Sequence, residues 1–131
     1  ENVSTTEVEN VLGAWPGVED AVVYGVEVPG ADGRCGMAAL RLLAGTRFDA
    51  NGLATHLRQH LPPYAVPLFV RLLNEVETTG TFKYKKTELK RQAYDPAQTA
   101  DPLFILLPDA PGFQALDTAR HAALSRGDYR L

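Results

Sequence analysis

Residues 21–28 read Ala-Val-Val-Tyr-Gly-Val-Glu-Val, a short β-branched run that is nearly continuous in apolar side chains, which is the pattern of a buried strand. Pro29-Gly30-Ala31-Asp32-Gly33 then forces a turn, and Met37–Leu43 has the character of the antiparallel return strand. A buried hairpin has to be covered, and the segments on either side of it carry helical patterns.

Ahead of the hairpin, Ser4-x-x-Glu7 has the form of a capping box, and Val8, Val11, Leu12 and Trp15 follow at i, i+3, i+4 and i+7 before Pro16-Gly17 ends the helix. Behind it, Asp49 is the expected cap of a helix whose apolar face is Leu53, Ala54, Leu57 and Leu61, stopped by Pro62-Pro63. Val66–Leu73 reads as a third strand. A polar loop, residues 75–81, leads to Phe82-Lys83 and a short basic helix from about Lys86 to Ala93. Beyond Pro96 we expect a strand over Leu103–Leu107 and a helix over Phe113–Arg126. The order predicts an α+β fold: a small, mostly antiparallel sheet of about three strands with helices packed on it, plus a C-terminal extension. Residues 1–95 are expected to form the domain proper and 96–131 an extension packed on it.

Charge is distributed unevenly. Formal net charge is −3, yet all four lysines, Lys83, Lys85, Lys86 and Lys90, lie within eight positions, while the nine arginines run from Arg34 to Arg130. Lys83–Arg91 holds five cations and one carboxylate, +4, which leaves −7 on the remainder. An acidic body with so small a basic spot argues against a nucleic-acid footprint, despite the interleaved Phe82, Tyr84 and Tyr94. With 45% hydrophobic and 22% charged residues the chain is an ordinary globular one. No run approaches the roughly 20 apolar residues of a membrane span. The lone Cys35 fits a reducing, cytoplasmic setting, no leader pattern supports secretion, and the opening Glu1-Asn2-Val3 suggests a piece of a longer chain.

Several chemistries are disfavoured by inventory. Ser4 and Ser125 are the only serines and neither sits in a G-x-S-x-G elbow. His56 and His60 share a helix face at i, i+4 but lack the Glu of H-E-x-x-H, so two exposed surface histidines are expected and no metal site. The Gly80/Lys83 region is not a P-loop. What remains is a lysine on a Thr/Gly loop, which reads either as part of a solvated basic helix face or as a compact point charge on a long stem suited to reach between anionic groups.

Leu61-Pro62-Pro63-Tyr64-x-x-Pro67, then Thr78-Thr79-Gly80-Thr81-Phe82-Lys83, then Lys86-x-x-Leu89-Lys90-Arg91 together resemble the C-terminal domain of the adenylate-forming superfamily, which includes acyl-CoA synthetases, peptide-synthetase adenylation domains and luciferases. The resemblance covers residues 1–95: the opening segment looks like the stretch after that family's hinge, and Val22–Pro29 like its first hairpin strand. The Thr-Gly-Thr-Phe-Lys wording, Tyr94-Asp95-Pro96 and the long tail are similar to the fatty-acid transport protein, or very-long-chain acyl-CoA synthetase, branch. One departure stands out. Most of the superfamily has glycine immediately before the lysine, whereas here Phe82 holds that place and Gly80 lies three residues earlier. Alignment on Leu89, six residues after Lys83, selects Lys83 over Lys85 or Lys86.

The resemblance implies a two-step ligase. A fatty acid carboxylate attacks the α-phosphorus of Mg·ATP, and the CoA thiol then displaces AMP from the acyl-adenylate. In such enzymes this domain is a lid that alternates between the half-reactions on a larger N-terminal adenylation domain. Lys83 is the expected catalytic residue, with Gly80 and Thr81 as the loop that carries it; Arg34 and Gly36, near the hairpin turn, are read either as approaching the CoA phosphates or as structural residues of the hairpin. The resemblance implies ATP, CoA and Mg2+ in the intact enzyme, none held tightly by this domain alone, which is expected to be inactive as a fragment. An aryl- or amino-acid-adenylating parent and a non-catalytic interaction module are the alternatives, and the parent's relation to a membrane is left open.

Overall fold

A computed structural model describes residues 4–31, 33–73, 86–129 and 131. Its elements are helix α1 (Thr5–Gly13), strands β1 (Val18–Glu27) and β2 (Arg34–Leu42), helix α2 (Ala50–His60), a 3-10 turn (Pro63–Ala65), strand β3 (Phe69–Leu72), helix α3 (Lys86–Gln92), strands β4 (Leu103–Ile105) and β5 (Gln114–Ala115), and helix α4 (Thr118–Ser125). The α+β class is the one the sequence indicates.

Local chemistry sets the helix starts. Ser4 Oγ accepts from the Glu7 N–H at 3.3 Å and Asp49 Oδ1 from the Gly52 N–H at 2.9 Å, so each cap satisfies a donor that the first turn leaves unpaired. The hairpin pairs antiparallel from Val18↔Leu42 to Glu27↔Arg34.

The sheet is mostly antiparallel, as expected, but holds more strands than the three read from the sequence. It has five strands in the order β1-β2-β3-β4-β5, and β2 and β3 run parallel. The parallel pair arises because α2 is the crossover between them: β2, α2 and β3 form a β-α-β unit, whose helix returns the chain to the starting edge. Leu103–Ile105 then pairs antiparallel with β3, and Gln114–Ala115 with β4. The tail therefore completes the sheet, and its helix begins only at Thr118, capped by Asp117 Oδ1 on the Arg120 N–H at 2.8 Å. β3 likewise starts at Phe69 rather than Val66, because two prolines open the 3-10 turn ahead of it.

Helices cover both faces. Ala38, Leu40, Val23 and Val70 pack under α1 and α2, against Val8, Leu12, Leu53 and Leu57. Met37, Ala39, Tyr24 and Phe69 point the other way, against Leu89 of α3, Tyr94 and Leu124 of α4. Met37–Leu40 are all fully buried, which explains an apolar run where a one-sided strand would alternate. Each such Leu or Met contributes about 1.5–3 kcal/mol of burial. On the α1/α2 face His56 is half-buried, not exposed: its Nε2 lies 2.8 Å from the Val11 carbonyl and its ring 5.2 Å from that of Trp15. His60 turns back to the His56 carbonyl at 2.8 Å. No helix among the described residues is long and apolar enough to cross a membrane.

Candidate functional site

Lys83, Gly80 and Thr81 lie outside the described residues, which stop at Leu73 and resume at Lys86. The structure describes the stems from which that segment is carried and the hairpin beside them.

Arg34 and Gly36 both lie on β2, with Arg34 opposite Glu27 and Gly36 opposite Gly25. The Gly25/Gly36 pair lets Arg34 and Pro67 lie close over the sheet, and these residues border a cleft of about 220 Å³ whose walls also include Thr5 and Tyr64. Arg34 lies across Gly25, where a Cβ would come within 3.2 Å of its Cδ. Tyr64 stands 58% exposed at the rim. On its other side Arg34 borders a second, open depression of about 340 Å³ that it shares with Glu27, Lys90 and Ala93. Two regions far apart in sequence, the hairpin cation and the basic helix, therefore meet around one hollow. An arginine and a lysine there, with the Glu27 carboxylate beside them, leave the hollow with two cations to one anion, a balance that suits an anionic ligand.

The basic helix is held against the sheet by Tyr94. Its ring stacks on Phe69 at 4.2 Å with an interplanar angle of 2°, and its hydroxyl donates to the Glu27 carbonyl at 2.8 Å. Burial pushes the Tyr94 phenol above its ordinary value, with smaller contributions from Cys35 and Asp95. Burial also pushes the Cys35 thiol up, so it is a poor nucleophile at neutral pH. Arg91 pairs instead with Glu88 on the exposed side of α3.

Sequence reasoning missed Arg71. This residue, on β3, is buried with its guanidinium on the α3 side, where Nε donates to Asp101 Oδ2 at 2.8 Å, Nη1 to Gln92 Oε1 at 2.6 Å and Nη2 to Thr99 Oγ1 at 3.0 Å. The available signal was an arginine inside the apolar run Leu68-Phe69-Val70-Arg71-Leu72-Leu73, since a charge in a buried strand requires partners. Tyr24 packs in the same layer. Burial raises its phenol strongly and the Arg71 charge offsets part of that. Arg58, also unremarked in the sequence, donates from α2 to the carbonyls of Ala110, at 2.7 Å, and Leu107. No group of three or more metal-ligating side chains occurs among the described residues.

Comparison with known proteins places this geometry. The family described as AMP-binding enzyme C-terminal domain matches residues 7–83. Over all 131 residues the chain is 47% identical to the long-chain fatty acid transport protein 1 of Mus musculus, covering 20% of that protein. It is 44% identical to the long-chain fatty acid transport protein 3 of Homo sapiens, covering 19%. The chain thus spans about a fifth of the length of the curated relatives it matches. Among solved structures, coronafacic acid ligase from Pectobacterium brasiliense aligns over 79% of this chain and 20% of its own, with a TM-score of 0.64 at 20% identity, which is a likeness of fold. A fatty acyl CoA synthetase of Mycobacterium tuberculosis aligns over 71% of this chain and 18% of its own, with a TM-score of 0.59 at 25% identity.

Proposed function

The chain belongs to the AMP-binding enzyme C-terminal domain family, and from that premise we propose that it is the mobile C-terminal domain of a long-chain fatty acyl-CoA synthetase and supplies that enzyme's adenylation lysine. The observation that carries the substrate class is the 47% identity over the whole chain to a long-chain fatty acid transport protein. An aryl- or amino-acid-adenylating parent would share the family, but it would not account for a likeness that runs on through the extension.

Lys83 is the last residue of the family match, where the motif lysine is expected. Adenylation drives a carboxylate against the α-phosphate of ATP, two anions that repel. A lysine ammonium between them offsets the repulsion most where charge accumulates, in the transition state. Its loss is expected to cost roughly 3–4 kcal/mol, or 10²- to 10³-fold in rate.

Thioester formation uses a different face. Arg34 and Lys90 border the hollow that would receive the CoA phosphates, and Gly25 and Gly36 line the cleft on the other side of Arg34. The fatty acid, ATP and its Mg2+ belong to the larger N-terminal adenylation domain of the parent, so residues 1–95 act as a lid, residues 96–131 as an extension packed on it, and the isolated domain is inactive. Domain rotation between the two half-reactions would bring first the loop and then the hairpin to the active site. Such a parent works on cytoplasmic ATP and CoA, peripheral to a membrane where its fatty acid requires it.

The test is Lys83→Ala in the intact enzyme. Adenylate formation, read as ATP–pyrophosphate exchange with a long-chain fatty acid, should fall by the factor given above, while transfer of preformed acyl-adenylate to CoA continues. Equal loss of both half-reactions would sink the role of Lys83. Exchange supported by aryl or amino acids, and not by fatty acids, would sink the substrate class.

A further inference from the structure

Ala93 is the one non-glycine residue among the described residues with a left-handed backbone, at φ 46°. It stands immediately after α3, and its N–H donates to the Leu89 carbonyl at 2.8 Å. Helices that end this way usually carry glycine at that place, because a Cβ disfavours the conformation. What holds an alanine there lies on either side of it. Arg71 Nη1 donates to Gln92 Oε1 at 2.6 Å, and Asp101 and Thr99 in turn fix the Arg71 guanidinium. The Tyr94 ring stacks on Phe69 at 4.2 Å, and its hydroxyl donates to the Glu27 carbonyl at 2.8 Å. The residue before Ala93 is thus tied to β3, and the residue after it to β3 and β1.

Both ties bear on the hollow that Arg34 borders. Its lining includes Glu27, Lys90 and Ala93, and Glu27 is the residue opposite Arg34 in the hairpin register. The Tyr94 bond therefore joins the end of α3 to the backbone beside Arg34. Lys90 on α3 and Arg34 on β2 are like charges that gain nothing by approaching each other, so their separation has to come from whatever holds α3 in place. Backbone kept in a sparsely populated conformation by its surroundings is characteristic of binding sites.

We propose that Tyr94 and Gln92 are positioning residues for thioester formation: their ties to Glu27 and Arg71 hold the left-handed turn at Ala93, and that turn sets Lys90 against Arg34 at the spacing that receives the CoA phosphates. This deepens, and rests on, the reading of Arg34 and Lys90 given above.

The experiment uses the intact enzyme with Tyr94→Phe, which keeps the ring stack and loses only the bond to Glu27, and Gln92→Met, which keeps length and loses the acceptor for Arg71. Each is measured with CoA and with pantetheine, a thiol that lacks the nucleotide phosphates, and in pyrophosphate exchange. The KM for CoA should rise roughly three- to tenfold, the scale of one neutral hydrogen bond. Pyrophosphate exchange and kcat/KM for pantetheine should stay within about twofold of wild type. In a Lys90→Gln background the effect of Tyr94→Phe should disappear, because residues acting through one device are not additive. Adding Ala93→Gly to Tyr94→Phe should bring the KM back toward wild type, since glycine adopts the turn unaided. A rise shared with pantetheine, slowed pyrophosphate exchange, an unchanged KM for CoA, a full effect without Lys90, or no recovery by Ala93→Gly would overturn the proposal. Should Arg34→Gln and Lys90→Gln each leave the KM for CoA unchanged, the reading of the hollow fails and this one with it.

Discussion

Gly25 and Gly36 face each other across the β1–β2 ladder, and a Cβ on Gly36 would sit 3.4 Å from the Pro67 Cα. The cleft beside Arg34 includes both glycines in its lining, and Arg34 and Pro67 pack close over them. Gly36→Ala is therefore expected to fold with stability within about 1 kcal/mol of wild type, since alanine is the less costly residue to order in a strand. In the intact enzyme it should lower the CoA-dependent half-reaction roughly tenfold, the scale of one extra methyl in a fitted pocket, and leave pyrophosphate exchange unchanged. Arg34→Gln should raise the KM for CoA, more so at low salt, if the guanidinium meets phosphate. Half-reaction kinetics on the two variants check both outcomes.

Tyr24 presents the opposite situation, a polar atom with nothing to bond. Its hydroxyl is buried without a hydrogen-bond partner among the described residues. Tyr24→Phe removes that desolvated group at nearly constant shape, and a gain of about 1 kcal/mol in chemical denaturation is expected. Alkaline pH adds a second readout. Tyr24 and Tyr94 both have phenols raised above the ordinary value of 10.0, because burial favours the neutral form. Their contribution is complete below that value. As pH rises through and beyond it, the unfolded chain loses the protons first, so the folded state binds more and stability falls. The wild-type denaturation midpoint should decline above about pH 10, and Tyr24→Phe should make the decline shallower.

Gly112 tests how the extension docks. A Cβ there would collide with Asn51 Oδ1 and come within 2.7 Å of the Asn51 Cα, at the start of α2, next to the Phe113 N–H bond to the Ala50 carbonyl at 3.3 Å. Backbone cannot yield as a flexible side chain can. Gly112→Ala should cost about 1–3 kcal/mol, the range for overpacking, with an unchanged denaturant slope. A neutral result would mean that the extension bears on α2 less closely than the Gly112–Asn51 contact requires.

Comparison of elements shows where sequence reasoning worked. Ser4, Asp49 and the Pro29–Gly33 turn act on backbone within three or four residues, so caps, helix faces and hairpin were legible without tertiary knowledge. Gln114–Ala115 was not. Two residues with no strand pattern of their own become β5 because β4 offers an edge, and Asp117, three residues before Arg120, was the overlooked sign that the helix starts later. His56 looked like a surface residue on helical spacing alone, but α1 packs over it.

The sequence by itself determined the caps, the helix faces and the hairpin and pointed to the family, because each rests on residues close together in the chain. Tertiary structure alone decided that β2 and β3 run parallel, that Arg34 and Lys90 border one hollow, and that Arg71 reaches Gln92, Thr99 and Asp101. The physical reason is common to all three. A buried charge or an open strand edge has to find partners, but which partners it finds depends on how distant segments are brought together, and no spacing along the chain encodes that.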